Sequence, residues 1–195
     1  YLHALQEEFR GNLKSLEEVM KINEKNLNSA LELSKFTGPT LPQISDKKLA
    51  SLIFDVVNKE VFFKTNSGVL EEVIGSGKLV VISNTKLRTS VSSWNGELVK
   101  VRKQEEELAR WRFGLLDFGK VHDNIRKTYT EAKGQFFDLP NSQFETRIGE
   151  SLQFLEFENL LFYFITASAF TNKYFYTNLK IEIQEILKLI HEELK

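Results

Sequence analysis

Residues Asn66 to Trp94 read NSGVLEEVIGSGKLVVISNTKLRTSVSSW, and this stretch decides how the rest of the chain is arranged. It contains a short apolar helix pattern, a break at Gly75-Ser76-Gly77, and cap residues ahead of a much longer helix pattern. We interpret the stretch as a structural corner between helices. The residues that we expect to form this corner are Gly75, Gly77, Ser83, Asn84, Arg88 and Trp94.

The run Leu79 to Ile82, LVVI, is apolar and largely β-branched, and propensity alone favours a strand. A lone strand leaves its backbone groups unpaired, and the sequence offers no clear partner strand. We therefore predict a buried segment that crosses between two helices. Ser83 or Asn84 then caps the next helix, on which Arg88 and Trp94 are spaced for a polar–aromatic contact.

A long amphipathic helix is predicted before the corner, over Tyr1 to Thr37, and Gly38-Pro39 ends it. Leucines and Phe9 form one stripe at helical spacing. Charged residues such as Glu8 are expected on the opposite, solvated face. At ~1.5 Å per residue, this helix is roughly 55 Å long, which predicts an elongated body.

Two further helices are predicted on either side of the corner. Lys47 to Lys59 carries an apolar face, and Ser45 or Asp46 caps it. From Thr85 to Tyr129, apolar residues alternate at spacings of four and three, which predicts one long helix. At Asn95-Gly96 this helix could kink, end in a turn or continue without a break. We favour the continuous helix.

Polar residues interrupt this alternation, Glu105 and Arg112 among them, so the pattern is not that of a clean coiled coil. Packing within a helical bundle explains it better. Glu105 to Glu107 lie close to Arg110, and we expect these residues to form a solvated, ion-paired face.

The remainder of the chain divides into a connection and a helical end. Thr130 to Glu150 is predicted to be a loop-rich connection, and we expect its apolar side chains to hold it to the body. These side chains are Phe136, Phe137, Leu139 and Phe144. Ser151 to Lys195 is predicted to be helical, with a kink at Asn172-Lys173.

The first half of this helical end is rich in aromatic residues. They are Phe154, Phe157, Phe162, Tyr163, Phe164, Phe170, Tyr174, Phe175 and Tyr176. One interpretation, which we favour, is that they fill the core between helices. The other is that they form an exposed face for a partner or an apolar ligand.

Composition limits the classes of protein to consider. A chain of 195 residues is a suitable size for one domain, residues 1–195, with a substantial core. The formal net charge of -1 gives no basic face for nucleic acid, so we expect no nucleic-acid partner. The absence of cysteine excludes disulfides, thiolate metal sites and a cysteine nucleophile.

No catalytic, cofactor-binding or metal site is predicted, and we expect the protein not to be an enzyme. The three histidines, His3, His122 and His191, belong to no metal-binding motif. Gly75-Ser76-Gly77-Lys78 lacks the spacing of a phosphate-binding loop, so we interpret it as a helix end. No serine lies in a GxSxG motif.

Three stretches resemble a family of uncharacterised bacterial membrane proteins: SGVLEEVIGSGKLVVISNTKLRTSVSSW, YLHALQEEFRGNLKSLEEV and FENLLFYF. In that family a short basic N-terminus and one transmembrane helix precede a soluble helical domain. The resemblance implies a membrane anchor upstream of Tyr1. By the positive-inside rule it also implies a domain in the periplasm.

The sequence thus predicts an all-α fold, an elongated antiparallel bundle of three to four long helices with short connecting helices. The expected function is that of a membrane-tethered, non-enzymatic domain that binds another protein of the cell envelope. The alternative is a sensory bundle that binds a small ligand between its helices. The oligomeric state stays open.

Overall fold

The computed structural model describes residues 1–40, 43–134 and 139–195. Within these residues the protein has no strand, so the all-α prediction is confirmed. The α-helices are α1 (Leu2–Leu33), α2 (Asp46–Val57), α3 (Gly68–Gly75), α4 (Thr85–His122), α5 (Ile125–Lys133), α6 (Leu155–Phe170) and α7 (Thr177–Glu193). Short 3-10 helices span Ser34–Phe36, Lys78–Val81 and Glu150–Gln153, and a π-helical turn spans Thr171–Tyr176.

Helix α4 passes through Asn95-Gly96 without a break, as we favoured, but it ends at His122 and not near Tyr129. The side chain of Asn124 accepts a hydrogen bond from the N–H of Lys127 at 3.0 Å and thereby caps α5. A new helix therefore starts where the apolar pattern predicted a continuation of the old one.

The connection predicted over Thr130 to Glu150 begins inside α5, which extends to Lys133. Phe144 is mostly exposed, so the prediction that it holds the connection to the body is wrong, and Leu139 is half-exposed. A polar contact attaches this part of the connection: the side chain of Lys127 donates to the carbonyl of Thr146 at 2.9 Å. Phe136 and Phe137 lie outside the described residues.

The chain forms two compact units, each built from non-consecutive stretches. Unit 1 comprises Tyr1–Lys21, Phe62–Glu105 and Thr171–Lys195, and unit 2 comprises Ile22–Val61 and Glu106–Phe170. The prediction of a single domain therefore stays a prediction.

In unit 1 the polar contacts of the C-terminal helix show its direction. They pair Asn172 with Met20, Lys180 with Glu17, Tyr176 with Glu105, and Glu193 with Ser83. Early residues of this segment meet late residues of the α1 and α4 stretches in unit 1. Helix α7 is therefore antiparallel to both, and α1 and α4 run parallel to each other.

Apart from Gln6 and Glu8, the buried residues of α1 recur at spacings of four and three along the whole helix, and three asparagines belong to this series. The buried series is Leu5, Phe9, Asn12, Leu16, Val19, Asn23, Asn26, Ala30 and Leu33. This is the heptad spacing of packed helices. Asparagine at such a position is satisfied only if a partner reaches it inside the core.

In unit 1 the backbone of an irregular segment, residues 62–66, supplies that partner. The amide of Asn12 donates to the carbonyl of Asn66 at 2.8 Å and accepts from its N–H at 2.7 Å. The hydroxyl of Ser15 donates to the carbonyl of Lys64 at 2.8 Å. A segment with no helical or sheet partners therefore has its backbone groups paired by side chains of α1.

Glu8, expected on a solvated face, is buried and caps α3. Its carboxylate accepts hydrogen bonds from the N–H groups of Val69 and Leu70, at 2.7 and 3.0 Å. These N–H groups lie in the first turn of α3, where a helix has no internal acceptors and where negative charge is favourable. Ser67, which directly precedes α3, accepts no such bond with its side chain.

Glu105, also expected in a solvated face, is buried as well and accepts three hydrogen bonds. The donors are the N–H of Phe63 at 2.7 Å, the hydroxyl of Tyr176 at 2.5 Å and the guanidinium of Arg102 at 2.6 Å. Arg102 supplies the opposite charge that a buried carboxylate requires. Burial, and then the adjacent Glu105 carboxylate, raise the pKa of Tyr176 well above its usual range.

In unit 2 two further asparagines of α1 also bind backbone groups of other segments. The amide of Asn23 donates to the carbonyl of Ser168 in α6 at 2.9 Å and accepts from its hydroxyl at 2.6 Å. The amide of Asn26 donates to the carbonyl of Lys59, just after α2, at 3.0 Å. Ser45 caps α2, as one of the two predicted candidates, by accepting from the N–H of Lys48 at 3.4 Å.

We expect Glu8→Gln to destabilise the protein by about 2 kcal/mol, because one of the two buried N–H groups at the start of α3 loses its acceptor. The free energy of unfolding in urea measures the change. The neighbouring Glu7→Gln is the control, since Glu7 is exposed and pairs with Arg10. That variant should stay within about 0.5 kcal/mol of the wild type. Equal effects of the two substitutions would contradict the capping role.

Tyr176→Phe should cost about 1.5–3 kcal/mol near neutral pH, because it removes a buried donor to a charged acceptor. The pKa of Tyr176 is raised in the fold, so its contribution is fully present below the unfolded value of about 10. It is lost as the pH rises from there through the folded value. The difference in the free energy of unfolding between wild type and variant should therefore decrease above about pH 10.

Urea unfolding at neutral and at alkaline pH measures both effects. Tyr163→Phe is the matched control, since Tyr163 is half-exposed and its ring contacts persist in the variant. A Tyr176→Phe protein that is as stable as Tyr163→Phe at neutral pH would contradict the role assigned to the hydroxyl.

Candidate functional site

At the predicted corner, Gly77 takes a conformation that other residues rarely adopt. Helix α3 ends at Gly75, and Gly77 has φ 70°, in the left-handed region. Its N–H donates to the carbonyl of Ile74 at 3.1 Å, which closes the last turn of the helix. Lys78 forms an ion pair with Glu72 at 3.7 Å, and its ammonium lies over the ring of Tyr1.

The run Leu79 to Ile82 is not a buried crossing segment, so that prediction is wrong. Most of it forms the 3-10 helix Lys78–Val81, in which residues three apart lie on the same side. Ile82 is buried and Leu79 is partly buried, whereas Val80 and Val81 are mostly exposed. Because the 3-10 helix has three residues per turn, two of the four apolar side chains point to solvent.

Asn84 is the cap of α4, and Ser83 has a different partner. The side chain of Asn84 accepts from the N–H groups of Lys86 and Leu87, at 3.0 and 3.1 Å. The N–H and hydroxyl of Ser83 both donate to Glu193, the last residue of α7. These bonds hold the pKa of the Glu193 carboxyl below its usual value, the Ser83 hydroxyl contributing most.

The other two corner residues contact different groups. The guanidinium of Arg88 donates to the hydroxyl of Thr85 at 3.2 Å. Trp94 is fully buried and packs edge-on against Phe9, with 5.1 Å between ring centroids. The corner residues therefore join helix ends and fill the core of unit 1, and they assemble no reactive constellation.

Ionisable groups form no metal-binding cluster in the part of the chain that the structure describes. His122 stacks on Phe118 at 4.2 Å and also contacts Phe154, while His3 and His191 are exposed. The three histidines are therefore not brought to one site.

The aromatic residues from Phe154 onward divide between core and surface. Phe157, Phe164 and Tyr176 are buried, as the core interpretation expected. That interpretation is wrong for five others, which are between 45% and 59% exposed: Phe154, Phe162, Tyr163, Phe170 and Tyr174. The second interpretation, an exposed aromatic face, therefore describes part of this segment.

In unit 2 we name one stripe of α6 the α6 face: Leu155, Asn159, Phe162 and Phe170, which are exposed, and Thr166, which is partly buried. Their spacing of four, three, four and four places them along one side of the helix. The three apolar members are 71%, 59% and 54% exposed, in chain order. Opposite them, residues 157, 161, 164 and 168 are buried.

Tyr163 borders the α6 face on the side of α4. Its ring stacks on Trp111, with 4.4 Å between centroids, and Trp111 donates to Glu107 at 2.8 Å. The hydroxyl of Thr166 donates to the carbonyl of Tyr163 at 3.0 Å. Bonded groups therefore hold the edge of the face in place.

Unit 2 also contains a small apolar cavity of about 40 Å³, lined among others by Leu115, Phe157, Asp123 and Thr128. The hydroxyl of Thr128 is buried and has no hydrogen-bond partner among the residues that the structure describes. Burial raises the pKa of Asp123, whose carboxylate accepts from the N–H of Ser151 at 3.1 Å. The space is close to that of a single water, about 30 Å³.

A larger and more open cleft of about 760 Å³ lies between the end of α4 and residues 140–146. Several of its polar side chains are already bound to the wall opposite them. Arg126 donates to the carbonyl of Pro140 at 3.2 Å, and Asn124 donates to the hydroxyl of Ser142 at 2.8 Å. Side chains that line the cleft thus form hydrogen bonds across it.

No protein-family model, curated protein or solved structure matches this chain. Across residues 1–40, 43–134 and 139–195, none of the helices combines the length and the hydrophobicity needed to cross a bilayer.

We expect Gly77→Val to lower the free energy of unfolding by about 1–2 kcal/mol, because a β-branched residue is strained at φ 70°. Gly75→Val is the matched control. Neither glycine has an atom within 4 Å of an added Cβ, but Gly75 has helical geometry and tolerates a side chain. Urea unfolding of both variants tests the corner, and an unchanged stability of Gly77→Val would contradict it.

Proposed function

We propose that this protein is a non-enzymatic interaction domain that binds another protein through the α6 face. The observation that carries the proposal is the exposure of Leu155, Phe162 and Phe170 on a helix whose other side lies in the core. Large apolar side chains cost free energy when they stay in water, and contiguous exposed patches of them commonly mark binding sites.

The chemistry of the face supports protein binding. Aromatic residues are enriched at the centres of protein interfaces, and Lys and Glu are depleted there. The stripe follows this composition, since its polar members are the uncharged Asn159 and Thr166. The acidic residues Glu156 and Glu158 lie beside it rather than on it.

The proposal includes the setting that the sequence resemblance implies. The domain is then tethered to a bacterial cell membrane by a span that precedes Tyr1, and the α6 face meets a protein partner in the periplasm. This part rests on the resemblance, whereas the binding role rests on the exposed side chains.

A sensory domain for a small ligand is the second candidate, and the cleft beside residues 140–146 favours it by its size. The bonds of Arg126 and Asn124 across that cleft weigh against it, because a polar ligand must displace them. The cavity beside Thr128 is too small for a metabolite. A thermal-shift screen with amino acids, organic acids and sugars separates the candidates, since only the sensor predicts stabilisation.

The test of the proposed function is photo-crosslinking in cells that make the full-length protein. A benzophenone amino acid replaces Phe162 on the α6 face, and we expect discrete covalent adducts after irradiation. The matched control places the same amino acid at Phe144, another exposed phenylalanine of unit 2. Adducts of equal yield from both positions, or none from Phe162, would overturn the proposal.

A further inference from the structure

We infer that the small cavity of unit 2 beside Thr128 is a binding site for one ordered water molecule, which joins the end of α4 to α5. The inference goes beyond the proposed function, because none of the described residues that line this cavity belongs to the α6 face. Two polar side chains, the volume of the cavity and its position at a break between helices carry it.

Thr128 is the first of the two polar side chains. It is 6% exposed and lines the cavity, and its hydroxyl has no hydrogen-bond partner among the residues that the structure describes. Leaving a buried hydroxyl unpaired costs free energy, so the large majority of such groups in folded proteins bond to protein or to ordered water. Since no described protein group fills this role at Thr128, the hydroxyl calls for water.

Asp123 supplies the second polar side chain. Its Oδ1 accepts from the N–H of Ser151 at 3.1 Å. Its Oδ2 lies 3.6 Å from the place where a Cβ on Gly119 would stand, and Gly119 is part of the cavity wall. Burial raises the pKa of Asp123, because it removes the carboxylate from solvent. A water in the cavity that accepts from Thr128 and donates to Asp123 therefore satisfies one group and restores solvation to the other.

The size and the lining of the cavity favour water over other occupants. A water molecule needs a cavity of at least about 10–15 Å³ and occupies about 30 Å³ in the liquid, so the volume of about 40 Å³ fits one. Calcium and magnesium ions take about six or more oxygen ligands, whereas the described lining is apolar apart from Asp123, Thr128 and Gly119. An apolar occupant leaves the hydroxyl of Thr128 unpaired.

The site lies where the sequence pattern predicted one continuous helix and the structure has two. Helix α4 ends at His122, so Asp123 follows the first helix, whereas Thr128 belongs to the second. A water bound to both side chains connects the two sides of this break from within the core. Buried waters of this kind are costly to remove, so the bridge stabilises the break in addition to the cap at Asn124.

Oxygen-17 relaxation dispersion of the 195-residue chain tests the inference, because it counts buried water molecules that exchange slowly with the solvent. Thr128→Val keeps the shape of the side chain and removes its hydroxyl, so we expect one bound water fewer than in the wild type. Thr130→Val is the matched control, since Thr130 lies in the same helix and outside the cavity lining. Equal counts in wild type and Thr128→Val, or equal losses in the two variants, overturn the inference.

The stability of the same two variants gives a second readout. If the cavity is dry, Thr128→Val removes an unpaired buried hydroxyl and makes the protein more stable than Thr130→Val does. If water bridges the site, Thr128→Val loses a hydrogen bond, and its folding equilibrium constant should be about fivefold lower than that of Thr130→Val. Urea unfolding measures both constants. A Thr128→Val protein that is as stable as the control, or more stable, overturns the inference.

A high-resolution crystal structure of the wild-type chain locates the water and depends on no variant. We expect one density peak in the cavity, within about 3 Å of both the Thr128 hydroxyl and a carboxylate oxygen of Asp123. A cavity without a peak overturns the inference, as does a peak that does not contact both side chains.

Discussion

The fold depends on polar side chains that occupy core positions of the long helices and bind the backbone of other segments. The chain's connections leave N–H and C=O groups without helical partners, and burying such groups unpaired costs free energy. In the connection from the end of α2 to the start of α3, residues 57–70, side chains of α1 and α4 supply the missing donors or acceptors. The pairs are Glu8 with residues 69–70, Asn12 with 66, Asn26 with 59, Glu105 with 63 and Arg112 with 57. These bonds favour a single fold, because each of them forms only when the helix and the connection are aligned in one register.

This constraint also marks the limit of what the sequence predicts. Helix positions, the cap at Asn84 and the break after Gly75 follow from local patterns, and the structure has them. Glu8 and Glu105 were expected in solvent because charge normally excludes a residue from the core. Their burial depends on N–H donors that lie more than forty residues away along the chain. No local pattern contains that information, although the four-three spacing passes through Asn12 and Glu105 and could have signalled their positions.

At the α6 face the sequence-based prediction fails in the opposite direction, because it places exposed residues in the core. Most residues of α6 are apolar and they are spread around the helix, and such a helix is normally buried. Packing covers only one of its sides, so hydrophobicity correctly predicted the core at Phe157 and Phe164 and wrongly predicted it at Phe162 and Phe170. The surplus of apolar residues over what the core accepts is itself the signal for an interaction surface. The interaction surface can be identified only when the packed side of the helix is known.

The stretches that form unit 1 come from the beginning, the middle and the end of the chain. Glu193, for example, binds Ser83 across 110 positions. During synthesis the N-terminal stretch and the corner leave the ribosome long before α7 exists. Unit 1 is therefore completed only after α7 has emerged. Until then its apolar side chains lack part of their packing, and a chain with an unfinished core is prone to aggregate.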